Sequence, residues 1–254
     1  MTGVGDLAGL GVLVTRPVHQ AETLCRLIED HGGRPVRYPA LEILPPLDRD
    51  AARELVRGHW DLAIYISPNA ARLAVSFTGG YPRAACVGAV GQGTARALQQ
   101  AGVGVDLLPE RFDSEGLLAL PELRDAAGKR VLIVRGEGGR PLLGDTLTAR
   151  GARVSYAEVY RRAAPVIDPA PLLARWQRDV QVVTATSPDI LQNLFAMLGD
   201  AGRPLLCATP LVVISERMEQ SARRLGVQRI IRAGGADDET LLKALRNGDA
   251  GLSA

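Results

Sequence analysis

Val12–Leu13–Val14–Thr15–Arg16–Pro17 returns, altered in detail, as Val131–Leu132–Ile133–Val134–Arg135–Gly136, 119 residues further on. The first opens with three apolar residues and Thr15, the second with four apolar residues, both mostly β-branched, as expected of a short strand buried on both faces. A helical stretch follows each. From Gln20 to His31, the residues Leu24, Leu27 and Ile28 recur at the three- and four-residue spacing of a buried helix face. The second stretch runs from Arg140 to Arg150. Gly32–Gly33 stops the first helix and Gly151 the second, again 119 residues apart, and the strands Val36–Tyr38 and Arg153–Tyr156 come next.

A second block recurs in the same way. Leu62 to Ile66 ends in Ser67–Pro68–Asn69, and Gln181 to Thr186 ends in Ser187–Pro188–Asp189, an offset of 120. Ala101–Gly102–Val103 matches Leu225–Gly226–Val227, and Ser114 to Leu118 matches Asp238 to Leu242, both at 124. A few loop insertions account for the drift, and an internal repeat governs every later assignment. The remaining strands are Ala84–Gly88 and Val103–Leu107 in one copy, Leu211–Ile214 and Gln228–Arg232 in the other. Each copy therefore carries five strands. Strands alternating with helices predict an α/β fold of parallel sheets covered on both faces.

Along the chain the blocks run A (12–38), B (62–118), A′ (131–156), B′ (181–242). Two ways of joining them are open. A may pair with B and A′ with B′ in tandem. Alternatively, the contiguous B and A′ form a domain at 43–158, inserted into a discontinuous domain of 1–38 and 165–254. The second arrangement needs two chain crossings. Pro39 to Pro46 and Glu158 to Pro165 supply them, both extended in character and closed by proline. Strands at 39–46 and 157–164, running in opposite directions, would pair as a two-stranded β hinge.

Composition excludes several classes. Of 254 residues, 46% are apolar and 23% charged, a globular balance. Three Cys cannot complete a disulfide framework, so a reducing, cytoplasmic setting is expected. The first ten residues lack a basic region and carry Asp6, against a secretory leader. The longest uncharged apolar stretch, Pro204 to Ser215, falls short of the roughly 20 residues of a membrane span, so no membrane partner is expected. Lys129 and Lys243 are the only lysines among 30 basic residues, yet the net charge is +2, which argues against a nucleic-acid partner. The arginine excess reflects either base composition or the recognition of individual carboxylates.

Catalytic signatures are equally sparse. The three histidines and scattered cysteines have no metal-ligand spacing, so no metal is expected. Gly88–Ala89–Val90–Gly91–Gln92–Gly93–Thr94 lacks the dinucleotide spacing, and Arg135–Gly136–Glu137–Gly138–Gly139 lacks the Lys-Ser/Thr ending of a phosphate loop. No G-x-S-x-G nucleophile turn occurs. Asp237–Asp238 before the last helix suits its dipole and reads as a cap.

Ligands of open parallel sheets bind beyond the carboxyl ends of the strands. Those ends carry Arg16, Ser67, Asn69, Ala70, Gly88, Thr94, Arg135, Gly138, Ser187, Ser215 and Arg217. Ser67 and Ser187, each before a proline, are natural helix N-caps. Their recurrence on the same strand of both copies leaves two readings, capping alone or facing rims of amides and hydroxyls. A small-molecule binding protein and an enzyme working by positioning both fit.

Val12 to Pro17, Ser67–Pro68–Asn69–Ala70, Val87–Gly88 with Thr94–Ala95, Val131 to Arg135 with Gly139–Arg140, and Val159–Tyr160–Arg161–Arg162 together resemble the uroporphyrinogen-III synthase family. Ser187–Pro188 and Ala236–Asp237–Asp238 extend the resemblance across about 12–245. It implies the inserted topology, with two flavodoxin-like domains joined by a two-stranded ladder. It also implies a reaction without metal or organic cofactor, the closure of hydroxymethylbilane to uroporphyrinogen III with loss of water and inversion of the last ring. The substrate, a linear tetrapyrrole, carries eight carboxylates, which amide-rimmed strand ends and arginines such as Arg16, Arg135 and Arg217 would hold.

By the same resemblance Tyr160 is the candidate acid for the departing hydroxyl, because a phenol of pKa about 10 stays protonated at neutral pH. Thr94 stands where the family has a threonine near the substrate. A monomer is expected, with hand-off from the upstream bilane-forming enzyme. The rival is a non-catalytic bilobed binding or sensor protein on the same scaffold.

Overall fold

The computed structural model describes residues 7–78 and 80–249. The reading of the first six residues, Asp6 included, lies outside the described residues. In chain order the elements are β1 (Gly11–Val14), α1 (Val18–Asp30), β2 (Arg34–Arg37), β3 (Glu42–Leu44), α2 (Arg49–Arg57), β4 (His59–Tyr65), α3 (Pro68–Thr78), β5 (Arg83–Ala89) and α4 (Gln92–Gln100). Next come α5 (Ser114–Ala119), α6 (Pro121–Arg124), β6 (Arg130–Gly136), α7 (Leu142–Ala149), β7 (Arg153–Ala163), α8 (Ala170–Leu173) and α9 (Trp176–Asp179). The chain continues with β8 (Val182–Ala185), α10 (Pro188–Ala208), β9 (Leu211–Val213), α11 (Glu216–Leu225), β10 (Ile230–Arg232) and α12 (Asp238–Asp249). These fall into two units: the chain up to Glu42 together with that from Ala163 onward, and Ile43–Arg162.

The first unit holds a sheet of order β10-β9-β8-β1-β2, with parallel neighbours. Numbered within the unit, this is the 2-1-3-4-5 order of flavodoxin-like folds. Because alternate residues of a strand face opposite sides, its apolar runs feed two cores at once. Leu13, Val183, Leu211 and Val213 join Leu194 of α10 and Met218 of α11 on one face. Val12, Val14, Val182 and Val212 join Leu24 and Ile28 of α1 and Leu241 of α12 on the other.

The second unit repeats this order with permuted connections. Its sheet runs β3-β7-β6-β4-β5, so β7, β6, β4 and β5 occupy the places of β2, β1, β8 and β9. The repeat extends to backbone conformation. Gly32 and Gly151, paired by the 119-residue offset, have φ of +80° and +85°, and Gly102 and Gly226 have +78° and +100°. All four sit in the left-handed region just past a helix, where a β-carbon is disfavoured.

Two expectations about strands need correction. Val103–Leu107 is not a fifth strand: only an isolated parallel bridge links Leu107 to Gly88. The Asp106 carboxylate accepts the Val87 N–H at 2.8 Å and so occupies a donor that a continuing ladder would use. Gly102 and Gly104 also supply no side chain to pack there. The fifth strand of this sheet is instead β3, at its other edge beside β7. Arg153–Tyr156 and 157–164, read as two strands, form the single strand β7, interrupted only by a register shift.

Candidate active site

The register shift in β7 places the central side chain. Arg135 lies opposite Glu158 and Gly136 opposite Tyr160, so Val159 is an extra residue on β7. Such a bulge re-aims the side chains beyond it. Tyr156 packs against the layer of Leu143 and Leu147. Simple alternation would send Tyr160 to that side too. Instead, Ala157, Val159 and Tyr160 all enter the opposite layer, among Ala70, Ala71 and Ala74 of α3. The Tyr160 ring passes over Gly136, where any β-carbon would stand 2.6 Å from Cε2 and Cζ.

Its hydroxyl ends between two polar partners, although the residue is only 1% exposed. Ser67 Oγ lies 3.1 Å away and simultaneously accepts the Ala70 N–H at 3.0 Å, capping α3. Arg162 Nη2 donates to the same phenol oxygen at 3.2 Å, with its guanidinium carbon 5.6 Å from the ring centre. Ser67 and Ala70, expected at one strand end, and Tyr160, expected on the hinge strand, are thus brought together. Arg162 and Gly136 were not foreseen. Only Arg162 left a signal in the sequence, since residues two apart on a strand share a face.

The other candidates lie as follows. Asn69 is half-buried in the first turn of α3, and Thr94 is 2% exposed in the first turn of α4. Gly88 sits within β5, where a β-carbon would make ordinary 3.6 Å contacts with Ile64 and Leu107. Gly138 and Gly139 come after β6 with φ of +72° and +102°, a double left-handed turn suited to glycine. Ser187 caps α10 by accepting Ile190 N–H at 3.1 Å, and Ser215 caps α11 by accepting Met218 N–H at 3.3 Å.

The three arginines differ. Arg135 donates through Nε and Nη2 to Glu158 at 3.1 and 2.9 Å, and its guanidinium lies 3.9 Å from the centre of the Tyr156 ring. Arg16, 8% exposed, donates to the Asp238 carboxylate and to the Ala236 carbonyl. Both are held by acidic partners within their own units. Arg217 stands exposed in the first turn of α11. Among the described residues no cluster of three His, Cys, Asp or Glu could hold a metal ion, and no helix is long and apolar enough to cross a membrane.

A sheet of flavodoxin order repeated through permuted connections, with a buried tyrosine hydroxyl within β7 beside the end of β6, defines a doubled α/β protein. The family is specified by comparison. The family model "Uroporphyrinogen-III synthase HemD" matches residues 22–243. A uroporphyrinogen-III synthase of Escherichia coli is 40% identical over 246 residues, covering 93% of this chain and all of that protein. The one from Salmonella typhimurium is 38% identical, again over 93% of this chain and all of that protein. A crystal structure of a mutant uroporphyrinogen III synthase from Thermus thermophilus aligns over 96% of this chain and 99% of that one, with a TM-score of 0.62. At 21% identity that likeness shows the fold alone. The chain belongs to the uroporphyrinogen-III synthase family.

Proposed function

We propose that this chain cyclises hydroxymethylbilane to uroporphyrinogen III, with Tyr160 as the acid that releases the hydroxyl. The family membership supports the reaction. The observation that carries the residue assignment is the Tyr160 hydroxyl, set between Ser67 Oγ at 3.1 Å and Arg162 at 3.2 Å.

In this reading the bond from the hydroxymethyl carbon to oxygen breaks, its electron pair leaves with oxygen, and the phenol proton completes a water molecule. The pyrrole nitrogen stabilises the carbon cation that remains. The last ring attacks through its substituted carbon to give a spiro intermediate, which reorganises with that ring inverted. The hydrogen this ring loses on closure restores the phenol, so the net change is loss of one water. Holding the bilane in the attacking geometry supplies much of the rate, and a positioned acid contributes typically 10²–10⁴-fold.

Eight carboxylates need partners. Arg217 is available on the surface of α11. Arg16 and Arg135 would serve by exchanging Asp238 and Glu158 for substrate carboxylates, and the helix starts at Ser67, Asn69, Ala70, Thr94, Ser187 and Ser215 offer amides and hydroxyls. Gly88 stands next to the last residue of β5, and the Gly138 turn follows β6. We further assign the reaction to a cytoplasmic monomer without cofactor. Hand-off from the bilane-forming enzyme would limit spontaneous closure of the substrate. The test is to supply enzymically generated hydroxymethylbilane and identify the porphyrin isomer after oxidation. Isomer III supports the assignment. Isomer I alone, the product of uncatalysed closure, rejects it in favour of a bilobed binding or sensor protein.

A further inference from the structure

We infer that Arg162 is a positioning residue for proton donation by Tyr160, an inference that rests on the acid role proposed above. A guanidinium only donates hydrogen bonds. Its 3.2 Å contact therefore fixes the Tyr160 oxygen as an acceptor on that side. Ser67 Oγ accepts the Ala70 N–H at 3.0 Å and shares a further hydrogen bond with the phenol 3.1 Å away, in which either hydroxyl can donate. Arg162 thus fills one acceptor position of the Tyr160 oxygen. Its proton therefore points away from Arg162, to the side where Ser67 Oγ lies and where a leaving hydroxyl would compete for it.

The same arrangement acts during transfer. As the proton leaves, negative charge grows on an oxygen that already accepts a hydrogen bond from the Arg162 guanidinium, and a donor in place beforehand lowers the barrier to that charge. The backbone sets this geometry. Tyr160 and Arg162 come after the bulge on one strand at the two-residue spacing of a shared face, and the guanidinium carbon lies 5.6 Å from the ring centre. Gly136 beneath the ring keeps the hydroxyl at that height.

The experiment is a double-mutant cycle on steady-state cyclisation: the native chain, Arg162→Met, Tyr160→Phe and the double variant, with Arg162→Lys as the charge-preserving control. Methionine keeps the apolar stem while removing the donor, and thermal unfolding checks that each variant is folded. We expect Arg162→Met to lower kcat by roughly tenfold or more with a smaller change in KM, and Arg162→Lys to recover part of the loss. In the Tyr160→Phe background, Arg162→Met should cost less than about twofold further, because its partner is gone. An equal loss in both backgrounds, or a rise in KM alone, would overturn the inference and make Arg162 a substrate carboxylate ligand. Native kcat in Arg162→Met beside an impaired Tyr160→Phe would also overturn it. An unimpaired Tyr160→Phe would instead remove the acid reading itself.

Discussion

Gly136 lies beneath the ring of Tyr160, so close that a β-carbon would stand 2.6 Å from Cε2 and Cζ. Tyr160 is packed in a buried layer and cannot retreat without opening it. Gly136→Ala should therefore cost about 1–3 kcal/mol of stability by overpacking. It should also cut cyclisation roughly tenfold, because a displaced ring carries its hydroxyl off target. Chemical denaturation and initial rates check the two parts separately. Native activity in a folded Gly136→Ala chain would show that the ring position does not matter.

Ser67 and Ser187 cap α3 and α10 through the same kind of bond, Oγ accepting the third helical N–H. Replacing either by alanine should cost about 1 kcal/mol of stability. Their kinetics should differ. Ser67→Ala also removes one of the two partners of the Tyr160 hydroxyl and should lower kcat, whereas Ser187→Ala should act on KM. Identical kinetic behaviour of the two variants would reduce both serines to caps.

Arg16 and Asp238 form an ion pair with side chains only 9% and 24% exposed. Asp238→Ala leaves the guanidinium buried with a carbonyl as its remaining partner. The expected loss is about 3 kcal/mol, read as a fall in the urea midpoint. Asp238→Asn, which keeps an acceptor, should lose less.

Several carboxyls are held below the usual carboxylate range. The Arg111 hydrogen bond and then the Gly116 N–H act on Asp113. The Thr240 N–H acts on Asp237, and the Arg178 hydrogen bond on Asp179. Their folded forms bind protons less readily than the unfolded chain does. The stability they lend is complete above about pH 5 and is lost as the pH falls through the usual carboxylate range and below it. The urea midpoint should stay level from pH 7 to about 5 and then drop, with a shallower acid limb in Asp113→Asn. A midpoint that rises on acidification would contradict this.

The repeat was legible because its markers are physical necessities: short β-branched apolar runs within strands, and glycines that must turn left-handed after helices, as at Gly32 and Gly151. The serine caps were legible for the same reason. The features that escaped sequence reasoning came from tertiary contacts. The Val103–Leu107 run has strand composition, but its ladder stops where a side chain, Asp106, takes a backbone donor. The bulge at Val159 leaves no compositional trace, yet it decides which face Tyr160 joins and hence its meeting with Ser67. Arg16 reads as a holder of substrate carboxylates because its partner Asp238 is 222 residues away in the chain.

The proposed mechanism turns on the Tyr160 phenol, oriented by Ser67 and Arg162, as the source of the proton for loss of water. Steady-state rates of uroporphyrinogen III formation by Tyr160→Phe and by the native chain test this role without intermediaries, because phenylalanine keeps the ring and removes only the hydroxyl. The expected outcome is a folded variant that still forms isomer III but with kcat reduced roughly 10²-fold. The residual activity would reflect the positioning that carries the rest of the rate. Native kcat in that variant would contradict the acid role.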